Sequence, residues 1–143
     1  MKPFSMEPVL RYRQQLEDEA RQKLFAALKK EEDIQTELRH TTDTLSALYA
    51  DLTLERTRGT TVDRLLLFEN RIVINQEQID RLEGDLAKQK KVVERRRRHL
   101  LQTSKDKKAL EKLKERQNLS YKKYKDKKEA AMLDEIAILR HGR

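Results

Sequence analysis

Apolar residues recur alternately three and four positions apart through residues 65–138, and a rhythm held that long leaves few folds open. The ladder runs Leu65, Phe68, Ile72, Asn75, Ile79, Leu82, Leu86, Gln89, Val93, Arg96, Leu100, Thr103, Lys107 and Leu110. It continues through Lys114, Gln117, Tyr121, Tyr124, Lys128, Ala131, Glu135 and Ile138 without an insertion. Thirteen of these twenty-two positions are apolar or aromatic. A period of 3.5 specifies the seam of a coiled coil, because a globular core helix follows 3.6 and soon drifts off such a stripe. The expectation is an all-α rod that works by contact.

Composition agrees. Charged residues are 41% of the 143, aromatics 5%, and Trp is absent. Too little apolar material is present for a compact core, but the balance suits long amphipathic helices. With no cysteine, disulfide scaffolds, thiolate zinc sites and cysteine nucleophiles are excluded. No apolar run is long enough to span a bilayer, and the opening residues lack the hydrophobic stretch of a secretory signal, so the expected setting is cytoplasmic.

A second ladder precedes the first: Leu10, Arg13, Glu17, Ala20, Leu24, Ala27, Glu31, Ile34, Leu38, Thr41, Leu45, Leu48, Leu52. Ser5 is the expected N-cap, with Pro8 tolerated in the first turn. The rhythm breaks at Thr57-Arg58-Gly59-Thr60-Thr61. Gly59 suits the left-handed residue that closes a helix, and Thr60 with Asp63 reads as a capping box for the next. A single domain over 1–143 follows: helix one about 6–57, a turn about 58–61, and helix two about 62–139. One short turn makes the helices antiparallel, so the fold class is a long two-helix coiled-coil hairpin.

The register follows if layered residues have numbers summing to 120. The seam then carries Leu52–Phe68, Leu48–Ile72, Leu45–Asn75, Thr41–Ile79, Leu38–Leu82 and Ile34–Leu86. Further along come the polar layers Glu31–Gln89 and Glu17–Thr103, and Leu24 meets Arg96. Arg13 opposite Lys107 is repulsive unless Glu17 or another acid intervenes. Gly84 falls on the outermost face. Helix one runs out opposite residue 115, so residues 116–139 overhang by ~36 Å at 1.5 Å per residue.

That overhang is the first candidate site. It carries Tyr121, Tyr124, Met132, Leu133, Ile136, Ile138 and Leu139, and an apolar stripe on a lone helix needs a partner. The second is turn-side: Leu66, Leu67, Val73 and Ile74 lie off the seam and form an exposed apolar cluster. A third feature is charge. Residues 1–59 carry ten Lys/Arg against eleven Asp/Glu, while residues 88–128 carry eighteen against five. The block Lys88, Lys90, Lys91 and Arg95–Arg98 reads either as a site for an acidic partner or polyanion, or as a solvated face paired with Glu17, Asp18, Glu19, Glu31, Glu32 and Asp33 of helix one. Residues 88–120 lack aromatics for base stacking, so specific nucleic-acid binding is disfavoured.

Nothing reads as catalytic. His40, His99 and His141 are far apart, no metal-ligand spacing exists, and the internal glycines form no phosphate-cradling loop. The expectation is a non-enzyme without cofactor, metal or small-molecule substrate.

Both ends of the chain resemble the FliJ family of flagellar type III export. At the start the resemblance lies in Phe4 and Val9-Leu10-Arg11-Tyr12-Arg13-Gln14-Gln15-Leu16-Glu17. At the end it lies in Lys108-Ala109-Leu110-Glu111-Lys112-Leu113-Lys114-Glu115-Arg116, Tyr121, Glu129 and Leu133-Asp134-Glu135-Ile136-Ala137. The resemblance implies a non-enzymatic central stalk that enters the hexameric export ATPase ring and promotes its assembly and activity. It also implies coupling to the cytoplasmic domain of the export gate, handling of export chaperones, and peripheral association with the inner-membrane export apparatus. On that reading the ring contact is Tyr121, Tyr124, Lys125, Leu133, Asp134, Glu135, Ile136 and Ile138. The gate or chaperone contact is Leu66, Leu67, Val73 and Ile74. The seam holding the hairpin is Leu38, Leu45, Leu48, Leu52, Phe68, Ile72, Ile79, Leu82 and Leu86. The Arg95–Arg98 run is not a family feature. Alternatives are the stalk of a virulence-type injection system and a basic coiled-coil scaffold or nucleic-acid-binding protein.

Overall fold

The computed structural model describes residues 5–142. Two helices, α1 (Glu7–Arg58) and α2 (Val62–His141), are the regular elements among them. The molecule is an all-α helical hairpin. Phe4, where the family resemblance begins, lies outside the described residues.

Gly59 makes the turn. It ends α1 at φ 83°, a left-handed conformation that costs a residue with a Cβ but not glycine. The cap of α2 comes from Thr61 rather than the expected Thr60. The backbone N–H of Arg64 donates to Thr61 Oγ1 at 3.3 Å, and the N–H of Leu65 to the Thr61 carbonyl at 3.1 Å. With the helix starting at Val62, only the residue just before it can reach the N–H three positions on. Asp63 stays in the first turn, favourably placed against the helix dipole. Arg64 then reaches back across the turn. Its Nε donates to Glu55 Oε2 at 3.1 Å and a second guanidinium N–H donates to Glu55 Oε1, a bidentate clasp between the helix ends.

The residues fall into two compact units, one spanning Arg21–Arg98, the other joining those up to Ala20 with those from His99 onward. In the first, Ala27, Thr41 and Leu52 of α1 and Ile72, Leu82, Gln89 and Val93 of α2 are buried. Leu38, Leu45, Leu48, Phe68, Ile79 and Leu86 are half-buried. Among the described residues no large side chain is sealed completely, as expected where two helices share one seam. Each such Leu or Ile therefore contributes less than the roughly 1.5–3 kcal/mol of a fully buried one. Buried Thr41 satisfies its hydroxyl internally, donating to the Glu37 carbonyl at 2.8 Å.

Two layers differ from the sequence expectation. Gln89 makes no hydrogen bond to Glu31; its Nε2 donates to the backbone carbonyl of Ala27, one turn earlier on α1, at 2.9 Å, a close approach that the small Ala27 side chain permits. Glu31 accepts instead from Gln35 Nε2 on its own helix. Arg96, expected to face Leu24, is exposed. A guanidinium held in an apolar layer would lose its hydration without a carboxylate to replace it, so the long side chain turns to water.

In the second unit, Glu17, Ala20 and Thr103 are buried, with Leu10, Leu100 and Leu110 half-buried. The feared Arg13–Lys107 repulsion is avoided. Arg13 pairs with Asp106 at 3.4 Å, Lys107 with Glu17 at 3.2 Å, and Lys114 with Glu7 at 3.0 Å. Thr103 does not bond Glu17 but turns its hydroxyl to the Leu100 carbonyl at 2.9 Å.

Candidate partner-binding surfaces

The hydrophobic rhythm of α2 outlasts its partner. Tyr121 is the last half-buried residue, and every residue from Lys122 to Gly142 is exposed. Nothing described from α1 covers this stretch, so positions that continue the ladder no longer face a helix. Tyr124 is 63% exposed and Ile138 69%, although both sit on ladder positions. Met132, Ile136 and Leu139 share one side at i, i+4 and i+7, and all are exposed. Leu133 stands about 100° further round the helix, nearer the polar side. Lys125, Asp134 and Glu135 are exposed around the stripe. Met132 and Leu139, part of the overhang stripe in the sequence, are absent from the narrower ring-contact set; the side they share with Ile136 joins them to it.

Leu66, Leu67, Val73 and Ile74 are all exposed beside the turn. They do not form one patch. Leu66 and Val73 share one flank of α2 and Leu67 and Ile74 the other, with Asn70 and Glu77 between them. Exposed Val62 joins the first flank, since it precedes Leu66 by four residues. It precedes Leu65, where the ladder begins, so periodicity does not reach it. Exposed Leu54 adds apolar surface on α1. Tyr49, also exposed, has its hydroxyl engaged by Gln76 Nε2 at 2.9 Å.

The cationic block divides into two kinds of residue. Arg13, Lys107 and Lys114 find acids across the hairpin, the paired-face reading. Between Lys88 and Arg98, only Arg98 has an ion pair among the described residues, with Glu94 of its own helix at 3.3 Å. The acids of α1 do not cross to this stretch; Asp33, for instance, pairs with Lys29 at 2.9 Å.

Among the described residues no group of three or more His, Asp or Glu is placed to hold a metal ion. The concavities are shallow grooves along helix faces; one is lined by Glu115, Asn118, Leu119, Tyr121, Lys122 and Lys125. No helix among the described residues is long and apolar enough to cross a membrane.

Comparison with known proteins gives one informative match. No curated protein matches the chain in sequence. A solved chain from Chlamydia trachomatis, described as a YscO homolog, aligns over 99% of this chain and 96% of its own, at 23% identity and a TM-score of 0.47. That likeness is too weak to carry either fold or function. The family model for the flagellar FliJ protein, in contrast, matches residues 1–143. It covers both the terminal motifs and the two heptad ladders between them, and the chain accordingly belongs to the FliJ family, a component of flagellar protein export.

Proposed function

We propose that this chain is the non-enzymatic central stalk of the flagellar export ATPase. In this role the free part of α2 enters the hexameric ring, promotes its assembly and raises its activity. The observation that carries the reading is the run from Lys122 to His141, which keeps its helix and an exposed apolar stripe with no described residue of α1 beside it. Apolar side chains at i, i+4 and i+7 on such a helix gain their burial from another molecule. Tyr121, Tyr124, Lys125, Leu133, Asp134, Glu135, Ile136 and Ile138 form the ring contact, with Met132 and Leu139 added by their exposure.

The two apolar flanks beside the turn are the surfaces for the export gate's cytoplasmic domain or for export chaperones. Leu66 and Val73 belong to one, Leu67 and Ile74 to the other. Through these contacts the chain works peripherally at the inner-membrane export apparatus.

The test is the ATP hydrolysis rate of the cognate export ATPase across a concentration series of the chain. Stimulation saturating at one copy per hexameric ring supports the stalk. Removing residues 118–143 leaves a folded hairpin that no longer stimulates. Full stimulation by that truncation would overturn the ring assignment, and no stimulation by the intact helical chain would overturn the stalk itself.

A further inference from the structure

Residues 86–98 carry seven Lys/Arg and one acid, Glu94. Six of the seven cations, Lys88, Lys90, Lys91, Arg95, Arg96 and Arg97, have no ion pair among the described residues. Burial does not explain them, since all six are exposed. Packing does not explain Arg96 either, because it leaves the layer that the ladder assigns to it. The stretch of α1 opposite by register holds Glu31, Glu32 and Asp33 as well as Lys23 and Lys30, yet none of these acids pairs with the block among the described residues: Glu31 accepts from Gln35 and Asp33 is taken by Lys29. A concentration of like charge raises the cost of the folded state without return inside the molecule.

The arrangement is ordered. Lys88 and Arg95 are seven residues apart, as are Lys91 and Arg98, and the two pairs are offset by three. With Val92 and Glu94 these four line one open groove along α2. Ten residues of helix place them along ~15 Å of axis. We propose that this face is a docking surface for an acidic α-helical segment of a protein partner, with carboxylates recurring every three to four residues along one side.

Charge complementarity and spacing choose that occupant. Two helices share the same rise, so carboxylates at heptad spacing on one meet cations at heptad spacing on the other along the whole contact. Arginine at Arg95 and Arg98 offers the fork that binds a carboxylate bidentately. A bilayer surface fits less well, because residues 86–98 expose no large apolar side chain to enter it. Duplex DNA, with a charge every ~1.7 Å of axis, makes no use of a seven-residue repeat, and no aromatic is interleaved to stack on single strands.

The test uses the full-length chain and three labelled probes. They are a helical peptide with glutamates at heptad spacing, a duplex DNA, and vesicles containing phosphatidylglycerol. The patch variant combines Lys88→Gln, Lys91→Gln, Arg95→Gln and Arg98→Gln. The control variant removes the same charge elsewhere, through Lys105→Gln, Lys108→Gln, Lys112→Gln and Arg116→Gln. At physiological salt the wild-type chain binds the helical peptide saturably. The patch variant weakens binding by at least about tenfold, and the control variant by less than about twofold. Independently of any variant, carbodiimide coupling of the peptide's carboxylates to the wild-type chain yields cross-links at Lys88 and Lys91. Equal weakening by both variants overturns the proposal, as do equal binding of a proline-interrupted peptide of the same composition and binding to DNA or vesicles alone. Cross-links scattered along α2 overturn it even if the patch variant fails to fold.

Discussion

Lys107 Nζ donates to Glu17 Oε1 at 3.2 Å, and neither side chain is in water: Glu17 is 6% exposed and Lys107 18%. The pair joins the two helices where the ladders alone would set Arg13 against Lys107, and it works because Arg13 takes Asp106 instead. Desolvating both charges offsets much of their attraction, so the pair adds specificity more than stability. Breaking it is another matter.

Glu17→Ala leaves the Lys107 ammonium half-buried, with only Glu111 at 3.7 Å as partner. The expected loss is about 3 kcal/mol, the lower end for a severed buried pair, because Lys107 keeps that neighbour. Glu17→Met combined with Lys107→Leu restores most of the stability or exceeds it. Urea unfolding of the two variants decides; equal losses in both would mean that packing, not charge, sets this layer.

Asn75 occupies a ladder position in α2, and its Oδ1 is buried without a hydrogen-bond partner. An unsatisfied buried acceptor costs about 1–3 kcal/mol. Asn75→Leu removes that cost and adds apolar surface to the seam, so the melting temperature rises. Wild-type register is also less strictly fixed once the polar residue is gone. A fall in melting temperature would show that Asn75 is better satisfied than the geometry indicates.

How much of this was readable beforehand divides along a physical line. Ladder positions follow from side-chain period alone, and along α1 every ladder residue from Leu10 to Leu52 is at least half-buried. Gly59 was equally legible, because few residues adopt a positive φ. The failures concern long or short polar side chains that have a choice. Arg96 could swing to water, Gln89 could find the backbone of Ala27 rather than Glu31, and Thr61 took the cap that Thr60 was equally fit to make. The first two outcomes depend on the exact position of the opposite helix and the third on where α2 starts, neither of which a period encodes. The partner-binding residues were legible only as exposed apolar positions. Met132 and Leu139 were legible as part of the overhang stripe, whereas Val62 lies ahead of Leu65, the first ladder residue, where periodicity does not reach.

The clasp at the turn gives a pH signature. Hydrogen bonding from Arg64 holds the Glu55 carboxyl below the ordinary glutamate range. A carboxyl with a depressed folded pKa stabilises the fold above its unfolded pKa, and that contribution is lost as pH falls through the folded value. The clasp is therefore fully formed near neutrality and released in acid. Carbon-detected NMR titration should show Glu55 protonating below the ordinary glutamate range, and Arg64→Gln should move it back toward that range. An unshifted Glu55 in the wild-type chain would mean the clasp is not populated in solution.

Two glycines provide an internal control on the backbone argument. A Cβ added at Gly59 or at Gly84 meets nothing within 4 Å, so neither substitution is opposed by a clash. They differ in conformation alone. Gly59 holds φ at +83°, where an alanine side chain crowds its own backbone, so Gly59→Ala should destabilise by about 1–2 kcal/mol. Gly84 lies inside α2 with ordinary helical geometry, so Gly84→Ala should stabilise by about 1 kcal/mol through the unfolded chain's lost freedom. Urea midpoints shifting in opposite directions for the same chemical change would locate the reversal of the chain in the Gly59 backbone. A shift of the same sign at both would mean that Gly59 is not held left-handed and that the turn is made elsewhere in residues 57–61.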